Sequence, residues 1–510
     1  MSSYISSAAV IGVDAVPIVV ESDISFGMPA FNVVGLPDIA VKEARERIRS
    51  ALKEGGFGFP QTRITVNLAP ADVRKQGPFF DLPIALSLLV AQGDIPPAAA
   101  KGMVFVGELG LDGTLRPVRG VLAAALGALR YGISVLWVPA GNSSEAASIP
   151  GVTVYAAKTL RDVVDHLCSR KTLENVQPST PDFHSPKVHS DMHDIRGQSH
   201  AKRGLEIAAA GGHHVLMFGP PGTGKTMLAR SLPGILPPLT PKEAVEATLI
   251  ASIAGLLPPG SGLLNHRPWR SPHHSSSAAA LIGGGAFPRP GEVSLAHRGV
   301  LFLDELPEFS PSVLEQLRQP LEDGEVTVAR VGGSVRFPSQ LLLVAAMNPC
   351  PCGFSGDVRR PCVCRPHRIR AYRQRVSGPL LDRFDLILHV SNPEPTALVH
   401  ASCGESTEEI RVRVCAARSR QEHRFRGHDT CVTNADIPPS QIETWCNLDE
   451  KSRLMVEHAL SLGSISARGF ARIRKVSRTI ADLADAEHIT EEHVAEALQY
   501  RAPVWTDKLE

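Results

Sequence analysis

Apolar residues follow two different periods along the first third of the chain. Residues 64–68 and 103–106 have the length and pattern of short strands, whereas residues 41–54 and 82–91 have helical length and period. This mixture predicts an α+β domain over residues 1–170.

The middle of the chain combines fully apolar runs with helical segments. A Gly/Pro-rich turn joins one such run, residues 214–218, to the helical residues 227–231. Strands that are apolar on both faces are typical of a parallel sheet covered by helices. With the similar runs 300–303 and 341–346, this pattern predicts an α/β core over residues 194–392.

Helical periodicity dominates from about residue 393 onward, which predicts a helical lid over residues 393–510. Residues 171–193 contain three prolines and many small polar residues, so we predict an exposed linker between the first two domains. The helical segments of the lid are residues 408–424, 449–462, 469–485 and 491–499.

Composition agrees with this division and excludes several classes of protein. A chain of 510 residues fits about three domains, and its 43 Gly and 41 Pro indicate many shaped loops. The 53 basic and 52 acidic residues are almost balanced, and residues 1–165 hold 14 basic against 15 acidic, so overall charge does not indicate a nucleic-acid or membrane binder. Without a leader, a run of about 18 apolar residues or a disulfide framework, we expect a cytoplasmic protein.

The strongest chemical signal is a glycine-rich turn between a predicted strand and a predicted helix. In such a turn backbone N–H groups surround phosphate oxygens, and the helix N-terminus adds partial positive charge. Lys225 would reach the β- and γ-phosphates of ATP, and Thr226 would bind Mg²⁺ through its hydroxyl. A turn without a ligand is the alternative. The residues of this phosphate loop are Gly219, Pro220, Pro221, Gly222, Thr223, Gly224, Lys225 and Thr226.

Two acids end the apolar strand 300–303. Asp304 is placed to hold the Mg²⁺ shell, and Glu305 to orient or deprotonate the attacking water. Acids at a strand end also occur by chance, but after a phosphate loop they indicate hydrolysis. Asn348 closes the later strand and either contacts the γ-phosphate or the water, or makes a local turn before Pro349.

Two arginines in the second half of the chain are further candidates for the site. Arg383 lies between Asp382 and Asp385, a spacing that fits a nucleotide contact or a local ion pair. Arg468 begins a predicted helix, and either reaches a neighbouring phosphate or caps its own helix.

Four cysteines lie close together within a loop, residues 348–366, which we call the cysteine loop. Four thiolates suit a tetrahedral Zn²⁺ site, but the one-residue spacing within each pair is tighter than in most zinc knuckles. A structural zinc site and a loop of reduced thiols both fit, with His367 and Asp357 as substitute ligands. The members of this cysteine group are Cys350, Cys352, Cys362 and Cys364.

The motifs together resemble the AAA+ ATPases related to the magnesium-chelatase ATPase subunit, and more narrowly the ComM/YifB family of competence-associated proteins. Besides the phosphate loop, residues 299–305, 348–353 and 377–385 carry the resemblance, which runs nearly from end to end.

This resemblance implies a ring, usually a hexamer, with ATP and Mg²⁺ as cofactors. It implies that Arg383 is an arginine finger on the neighbouring subunit's nucleotide and that Asn348 is the first sensor. Arg468 would be the lid sensor, with Arg472 as the second choice.

The first domain resembles the Lon-type protease fold. Residues 77–81 and 117–122 match the segments that supply the nucleophilic serine and the lysine in that family, but Phe79 and Leu122 replace them. Neither side chain is a nucleophile or a base. We therefore predict a non-proteolytic domain for assembly, partner contact or ring geometry.

Arginine is concentrated in two segments. Residues 359–375 contain seven arginines and residues 411–426 contain six. Contact with DNA, contact with a subunit or nucleotide, and a solvated surface all fit such clusters.

Two further segments are candidates for lining a central pore. Residues 275–292 form an insertion rich in Gly, Ser and Ala, and residues 326–336 have the pattern of a hairpin. In related ring ATPases such hairpins grip nucleic acid, so Arg330 and Arg336 are candidate phosphate contacts.

By family resemblance, the function is that of a Mg²⁺-dependent helicase that promotes branch migration in homologous recombination, especially in natural transformation. Single-stranded or branched DNA would be its ligand, with recombination proteins as further partners. A chelatase-like ATPase subunit and a nucleotide-switched regulatory ring without motor activity are the alternatives. The Lon-like first domain argues against the chelatase.

Overall fold

The computed structural model describes residues 3–178, 183, 190–285, 288–330, 333–357, 359–392, 404–428, 431–461 and 467–501. Parts of the predicted linker, residues 171–193, and of the predicted lid, residues 393–510, therefore lie outside the described residues.

A mixed seven-stranded sheet forms the centre of the first domain. The strands of this domain, β1 to β9, are Ser3–Ile11, Asp14–Ser25, Ala30–Val34, Arg63–Ala69, Met103–Phe105, Glu108–Leu109, Leu115–Arg116, Val135–Pro139 and Thr153–Ala157. The sheet order is β3-β4-β2-β1-β5-β8-β9, and β6 pairs with β7 as a separate hairpin. The central pairs β1–β2 and β2–β4 are antiparallel, and the outer pairs are parallel.

Helices cover this sheet. Helices α1 to α6 are Ile39–Lys42, Ala44–Glu54, Asp81–Gln92, Val121–Arg130, Ser143–Ala147 and Leu160–Leu167. The apolar helices α3 and α4 pack on β1 and β2, which confirms the mixed α/β character of this part of the chain. The helix predicted over residues 41–54 is divided at Glu43, and the side chain of Asp38 caps the short helix that precedes this division.

A second sheet of five parallel strands forms the predicted α/β core. Strands β10 to β18 are Val215–Phe218, Trp269–Arg270, Gly283–Gly284, Arg289–Pro290, Val300–Leu303, Glu325–Arg330, Gly333–Pro338, Leu342–Met347 and Leu386–His389. The order in the sheet is β11-β14-β17-β10-β18, so the predicted apolar strands lie at its centre. All five strands end at the same edge, and the loops that follow them meet there.

Two antiparallel hairpins lie outside the five-stranded sheet. One, β12 with β13, lies within the predicted insertion. The other, β15 with β16, confirms the hairpin predicted over residues 326–336. A Cβ at Gly12, in the turn between β1 and β2, would overlap the side chain of Val335 on β16, so the first domain touches one face of this hairpin.

Some helices of the core begin at a side-chain cap. Helices α7 to α15 are Ser199–Gly211, Lys225–Ile235, Pro241–Ala254, Ala278–Ile282, Glu292–Leu295, Pro311–Glu315, Arg318–Asp323, Pro366–Arg373 and Gly378–Leu381. In α9, Thr240 and Glu243 form a capping box, Pro241 occupies the first turn, and Gly255 ends the helix with a φ of 73°. The residue types at the two ends therefore define this helix.

Helices continue through the described part of the C-terminal segment. Helices α16 to α20 are Thr407–Arg424, Ile442–Trp445, Glu450–Ser461, Ala467–Leu483 and Glu491–Gln499. Helices α16 and α19 pack against α7 of the core. One buried apolar cluster joins residues from Met192 to Tyr500, so these helices share the hydrophobic core of the second sheet.

Several arginines of the cluster 411–426 tie these helices to the core. Arg413 forms ion pairs with Glu206 and Glu405, and the partly buried Arg418 donates hydrogen bonds to the carbonyl oxygen of Ala209. Arg413 and Arg418 therefore have partners within the chain, whereas Arg426 of the same cluster is exposed.

A buried carboxylate connects the first domain to the core. Glu145 accepts hydrogen bonds from the backbone of Leu122, from Asn142 and from the hydroxyl of Ser252 on α9. Burial raises the pKa of Glu145, and the hydrogen bonds from Ser252 and Asn142 oppose that shift. The same hydroxyl accepts from the N–H of Gly120 at 3.0 Å, so Ser252 bridges the two domains.

Across the described ranges, no helix is both apolar and long enough to cross a membrane.

An internal ion-pair cluster generates a prediction about stability. Asp482 is fully buried between Arg424 and Arg478, and it also accepts a hydrogen bond from Asn434. Asp482→Ala should cost about 3–5 kcal/mol, because it leaves buried guanidinium groups without their carboxylate. Thermal and urea unfolding of the full chain measure this loss.

Glu315→Ala is the matched control, since Glu315 pairs with the half-exposed Arg318. We expect that substitution to change stability by less than about 1 kcal/mol. Equal losses from the two substitutions would contradict the assignment of Asp482 as the buried anchor.

Candidate active site

The phosphate loop follows β10 and leads into α8, as predicted. Gly222 and Gly224 have φ values of 79° and 91°, in the left-handed region that glycine adopts without strain. A Cβ at Gly219 would overlap the carbonyl oxygen of Val390, just after β18. Backbone conformation at two positions and close approach at the third therefore require glycine.

Lys225 is buried inside this loop. Its ammonium donates hydrogen bonds to the carbonyl oxygens of Gly219 at 2.8 Å and Pro220 at 2.7 Å, and to Oδ1 of Asn348 at 3.2 Å. Burial lowers the pKa of Lys225 to about 8, and the nearby Asp304 carboxylate opposes that shift. The ammonium contacts neutral oxygens, which the oxygens of an anionic ligand would replace.

The two predicted Mg²⁺ ligands touch each other. The hydroxyl of Thr226 donates a hydrogen bond to Oδ2 of Asp304 at 2.9 Å. The other carboxylate oxygen of Asp304 accepts from the N–H of Glu305 at 2.9 Å. A hydroxyl and a carboxylate at this separation offer the oxygen ligands that Mg²⁺ prefers.

Asn348 completes the group because its strand lies between the other two. Strand β17 pairs on one side with β10 and on the other with β14, which end in the phosphate loop and in Asp304. The side chain of Asn348 is thereby brought to Lys225. Among the predicted site residues, the structure gathers Lys225, Thr226, Asp304 and Asn348 at one edge.

Glu305 has a conformation and a partner that its sequence context did not predict. Its φ of 52° places a non-glycine residue in the left-handed region, a strained state that is common at functional sites. Its carboxylate lies 3.3 Å from Nδ1 of His274, which precedes the predicted insertion. The pair of histidines at 273 and 274 in the sequence was the only signal for this contact.

Gln198 is a second residue that sequence reasoning did not single out as functional. Its side-chain amide donates to the carbonyl oxygens of Thr223 at 3.2 Å and Ser391 at 2.7 Å. With a φ of 58°, it stands just before α7. It therefore links the phosphate loop to the segment after β18.

Arg383 lies at the opposite edge of the sheet from the phosphate loop. It precedes the first residue of β18, Leu386, which pairs with the first residue of β10, Val215. The four residues of β10 separate the two edges by about 13 Å. The Arg383 guanidinium bonds to Glu322 of its own chain.

Arg472 lies at this far edge as well. It donates to the carbonyl oxygen of Phe384 at 2.9 Å and stands 3.4 Å from the carboxylate of Asp385. Both contacts of Arg472 are within its own chain. Arg468, one turn earlier on α19, is exposed.

The cysteine group converges on one point. The sulfurs of Cys350 and Cys352 are 3.3 Å apart, and each lies 3.6 Å from that of Cys362. All four sulfurs lie within 4.8 Å of one another, and no histidine or carboxylate of the described residues joins this group. Asp357, expected as a substitute ligand, instead accepts hydrogen bonds from the backbone of residues 359 and 360.

Exposed arginines surround this loop. Arg360 stacks over the ring of Phe354 at 5.4 Å, and Arg375 pairs with Glu308. The other exposed members of the segment 359–375 include Arg365, Arg368 and Arg370.

The two tentative DNA contacts differ in what the structure shows. Arg336 on β16 is 75% exposed and stands 3.4 Å from the Glu325 carboxylate. Arg330 ends β15, but its side chain lies outside the described residues.

Models of known families match three successive parts of the chain. "Magnesium chelatase, subunit ChlI" matches residues 191–398, and "Subunit ChlI of Mg-chelatase" matches residues 20–142. "Magnesium chelatase, subunit ChlI C-terminal" matches residues 404–501.

Some proteins match this chain along almost their whole length. The competence protein ComM of Haemophilus influenzae is 45% identical over 510 residues, which is 98% of this chain and 98% of that protein. The protein YifB of Salmonella typhimurium is 43% identical over 502 residues, or 98% and 97% of the two chains. The chain belongs to the ComM/YifB family. The magnesium-chelatase 38 kDa subunit of Rhodobacter capsulatus is 25% identical over 329 residues, covering 59% of this chain and 83% of that subunit.

The ComM/YifB family belongs to the magnesium-chelatase-like AAA+ proteins, which implies ATP and Mg²⁺ as cofactors. The residues at the sheet edge fit both. Lys225 and the loop backbone offer donors for phosphate oxygens, and Thr226 with Asp304 offers ligands for Mg²⁺. When bound, the cation would neutralise charge that develops on the phosphates.

The position of Lys225 predicts that nucleotide binding takes up protons. Its pKa of about 8 leaves about half of the side chains neutral at pH 8, and contact with phosphate oxygens favours the charged form. Calorimetry at pH 8 with Mg²⁺ and a slowly hydrolysed ATP analogue, in buffers of different ionisation enthalpy, should show uptake of about half a proton. The uptake should vanish toward pH 6.

Lys225→Arg provides the control, because a guanidinium stays charged throughout this range. Whatever binding remains in that variant should take up no proton at pH 8. The same uptake in both proteins would show that another group titrates.

Proposed function

We propose that this chain is a Mg²⁺-dependent ATP hydrolase that works as a ring-shaped motor on DNA. The observation that supports the ATPase most directly is the meeting of Lys225, the pair Thr226–Asp304 and Asn348 at one edge of the parallel sheet. In this proposal ATP and Mg²⁺ bind there, and the cysteine group holds a structural Zn²⁺.

Each residue of the edge has one task in hydrolysis. Lys225 binds the β- and γ-phosphates, and Asn348 is positioned by Lys225 to contact the γ-phosphate or the water. Glu305 orients a water and takes its proton as the water oxygen bonds to the γ-phosphorus and the bond to ADP breaks. The Glu305 carboxylate lies 3.3 Å from Nδ1 of His274, so we infer that this histidine helps to position it.

Glu305→Gln should bind ATP normally but lose turnover by about 100-fold or more, because the amide cannot accept the proton. Lys225→Ala should instead lose nucleotide binding. Binding of a fluorescent ATP analogue and release of phosphate separate the two effects. Turnover that survives in Glu305→Gln would assign the base to another residue.

The proposal of a ring rests on the positions of Arg383 and Arg468 in the fold. Arg383 and Arg468 do not share an edge with the phosphate loop of their own chain, since Arg383 precedes β18 and Arg468 lies one turn from Arg472. We infer that both reach the nucleotide of a neighbouring subunit, as the arginine finger and the lid sensor of a homo-hexamer. Each site is then completed by its neighbour.

Mixing two inactive variants tests this arrangement. Arg383→Ala and Lys225→Ala should each hydrolyse ATP at less than about a tenth of the normal rate, because each lacks one group that binds the phosphates. In a mixture, some interfaces join an intact loop to an intact arginine, so activity should rise above that of either variant. A mixture that is no more active than its parts would place Arg383 outside the neighbour's site.

DNA is the proposed ligand of the ring. Exposed arginines beside the cysteine loop and Arg336 on the β15–β16 hairpin offer contacts for a phosphate backbone. One relative is named a competence protein, which supports a role in taking up DNA for recombination. We infer a helicase that promotes branch migration on single-stranded or branched DNA, with recombination proteins as partners.

DNA-stimulated ATP hydrolysis and unwinding of a four-way junction would support the motor. Phosphate contacts are strongest at low salt. If DNA neither binds there nor changes the rate of ATP hydrolysis, the proposed DNA motor is wrong. The regulatory ring without motor activity predicts nucleotide-dependent assembly without unwinding. The chelatase-like subunit draws support from the three matching family models, which are named for magnesium chelatase, although the Rhodobacter capsulatus subunit itself covers only 59% of this chain.

The first domain is proposed as a Lon-like domain without protease activity. Phe79 and Leu122, at the positions of the expected nucleophile and lysine, are both buried apolar side chains. Leu122 donates its N–H to Glu145 at the contact with the core, which supports a role in assembly.

A further inference from the structure

We propose that the cysteine group binds one Zn²⁺ ion and that the metal-bound loop braces the phosphate loop, so that metal binding and nucleotide binding strengthen each other. This coupling rests on the proposed function, because it acts on the same nucleotide site.

The spacing of the sulfurs fits a tetrahedral zinc centre. Zn–S bonds of about 2.3 Å in a tetrahedron place sulfurs about 3.8 Å apart. The separations of 3.3 and 3.6 Å between Cys350, Cys352 and Cys362 are close to that value, and Cys364 lies within 4.8 Å of each. The tight spacing along the chain therefore does not prevent convergence.

The chemistry of the donors selects a soft cation. All four donors are sulfur, and all four cysteines are free. Backbone N–H groups of Ser355 and Cys364 point at the sulfurs of Cys350 and Cys362, at 3.3 and 3.4 Å. Such N–H groups stabilise thiolates, which zinc requires and magnesium does not prefer.

The loop that holds these cysteines touches the nucleotide site directly. Asn348, which accepts a hydrogen bond from the Lys225 ammonium, lies two residues before Cys350. Gly353, one residue after Cys352, lies so close to the phosphate loop that a Cβ there would stand 2.5 Å from Cδ of Pro221. Its φ of 85° also belongs to the left-handed region.

Two further bonds connect the loop to its surroundings. Asn392, just after β18, donates to the carboxylate of Asp357 at 3.1 Å. Arg373 on α14 donates to the carbonyl oxygen of Pro349 at 3.4 Å. The loop is therefore held at its base, and the cysteine group closes its centre.

A metal ion would remove most of the remaining freedom of this loop. Nine residues separate Cys352 from Cys362, and a cross-link across them lowers the conformational entropy that ordering the loop costs. An ordered loop presents Asn348 and Gly353 to the phosphate loop in one arrangement. Nucleotide bound there stabilises the same arrangement, and by linkage it tightens the metal site.

Metal content and nucleotide affinity of the full chain test both parts. We expect about one zinc per chain after purification without chelator, and less than half an equivalent in Cys362→Ser. The dissociation constant of a fluorescent ADP analogue should rise about tenfold in that variant, the loss expected when one hydrogen bond to a charged group is misplaced. Cys168→Ser, outside the group, should retain both the zinc and the affinity.

Gly353→Ala distinguishes loss of the contact with the phosphate loop from loss of the metal-bound fold of the cysteine loop. It keeps every cysteine, so zinc content should stay near one per chain, while the new Cβ should press on Pro221 and weaken the ADP analogue. Removal of zinc by chelator should weaken nucleotide binding in the unmodified chain, and added zinc should restore it.

The outcomes separate the proposals. Absence of zinc, or iron in its place, would overturn the metal assignment, and equal nucleotide affinity with and without zinc would overturn the brace. No binding of nucleotide to the zinc-loaded chain would instead remove the proposed ATPase function.

Discussion

The parallel alignment of β10, β14 and β17 is the constraint on which the site depends. Phe218 pairs with Met347, and Leu303 pairs with Ala345, so the three strands end almost level. A slip by one residue would turn alternate side chains to the other face and would separate the acid from the hydroxyl that it contacts. The register of these apolar strands therefore sets the positions of the polar site residues, which follow the strands along the chain.

Sequence reasoning identified those site residues that belong to short, recognisable motifs. The glycine turn, the acids after a strand and the asparagine before a proline each have local signals, and the strands that precede them are visible as apolar runs. Contacts between distant segments had no such signal. His274 and Glu305 are separated by 31 positions along the chain, and the parallel pairing of β11 with β14 brings the segments that carry them to the same edge. The sequence analysis also did not detect that the predicted helix 41–54 is divided at Glu43.

Charge illustrates the same limit. The balanced composition concealed two arginine clusters that look alike along the chain but have different surroundings. In 411–426, carboxylates and helix carbonyls of the core satisfy Arg413 and Arg418, whereas Arg365 and Arg368 near the cysteines are exposed. Which arginines face solvent depends on the packing of α16 against α7, and that packing cannot be inferred from the density of arginine alone.

The bridge through Ser252 has a mechanical consequence. Helix α8 begins at the phosphate loop, and α9, which follows it after a short turn, ends close to the first domain. A small rotation of α8 would shift α9, and the hydrogen bond from Ser252 to Glu145 would pass that shift to the first domain. The first domain would then move in response to events at the phosphate loop, through a contact that it makes with the end of α9.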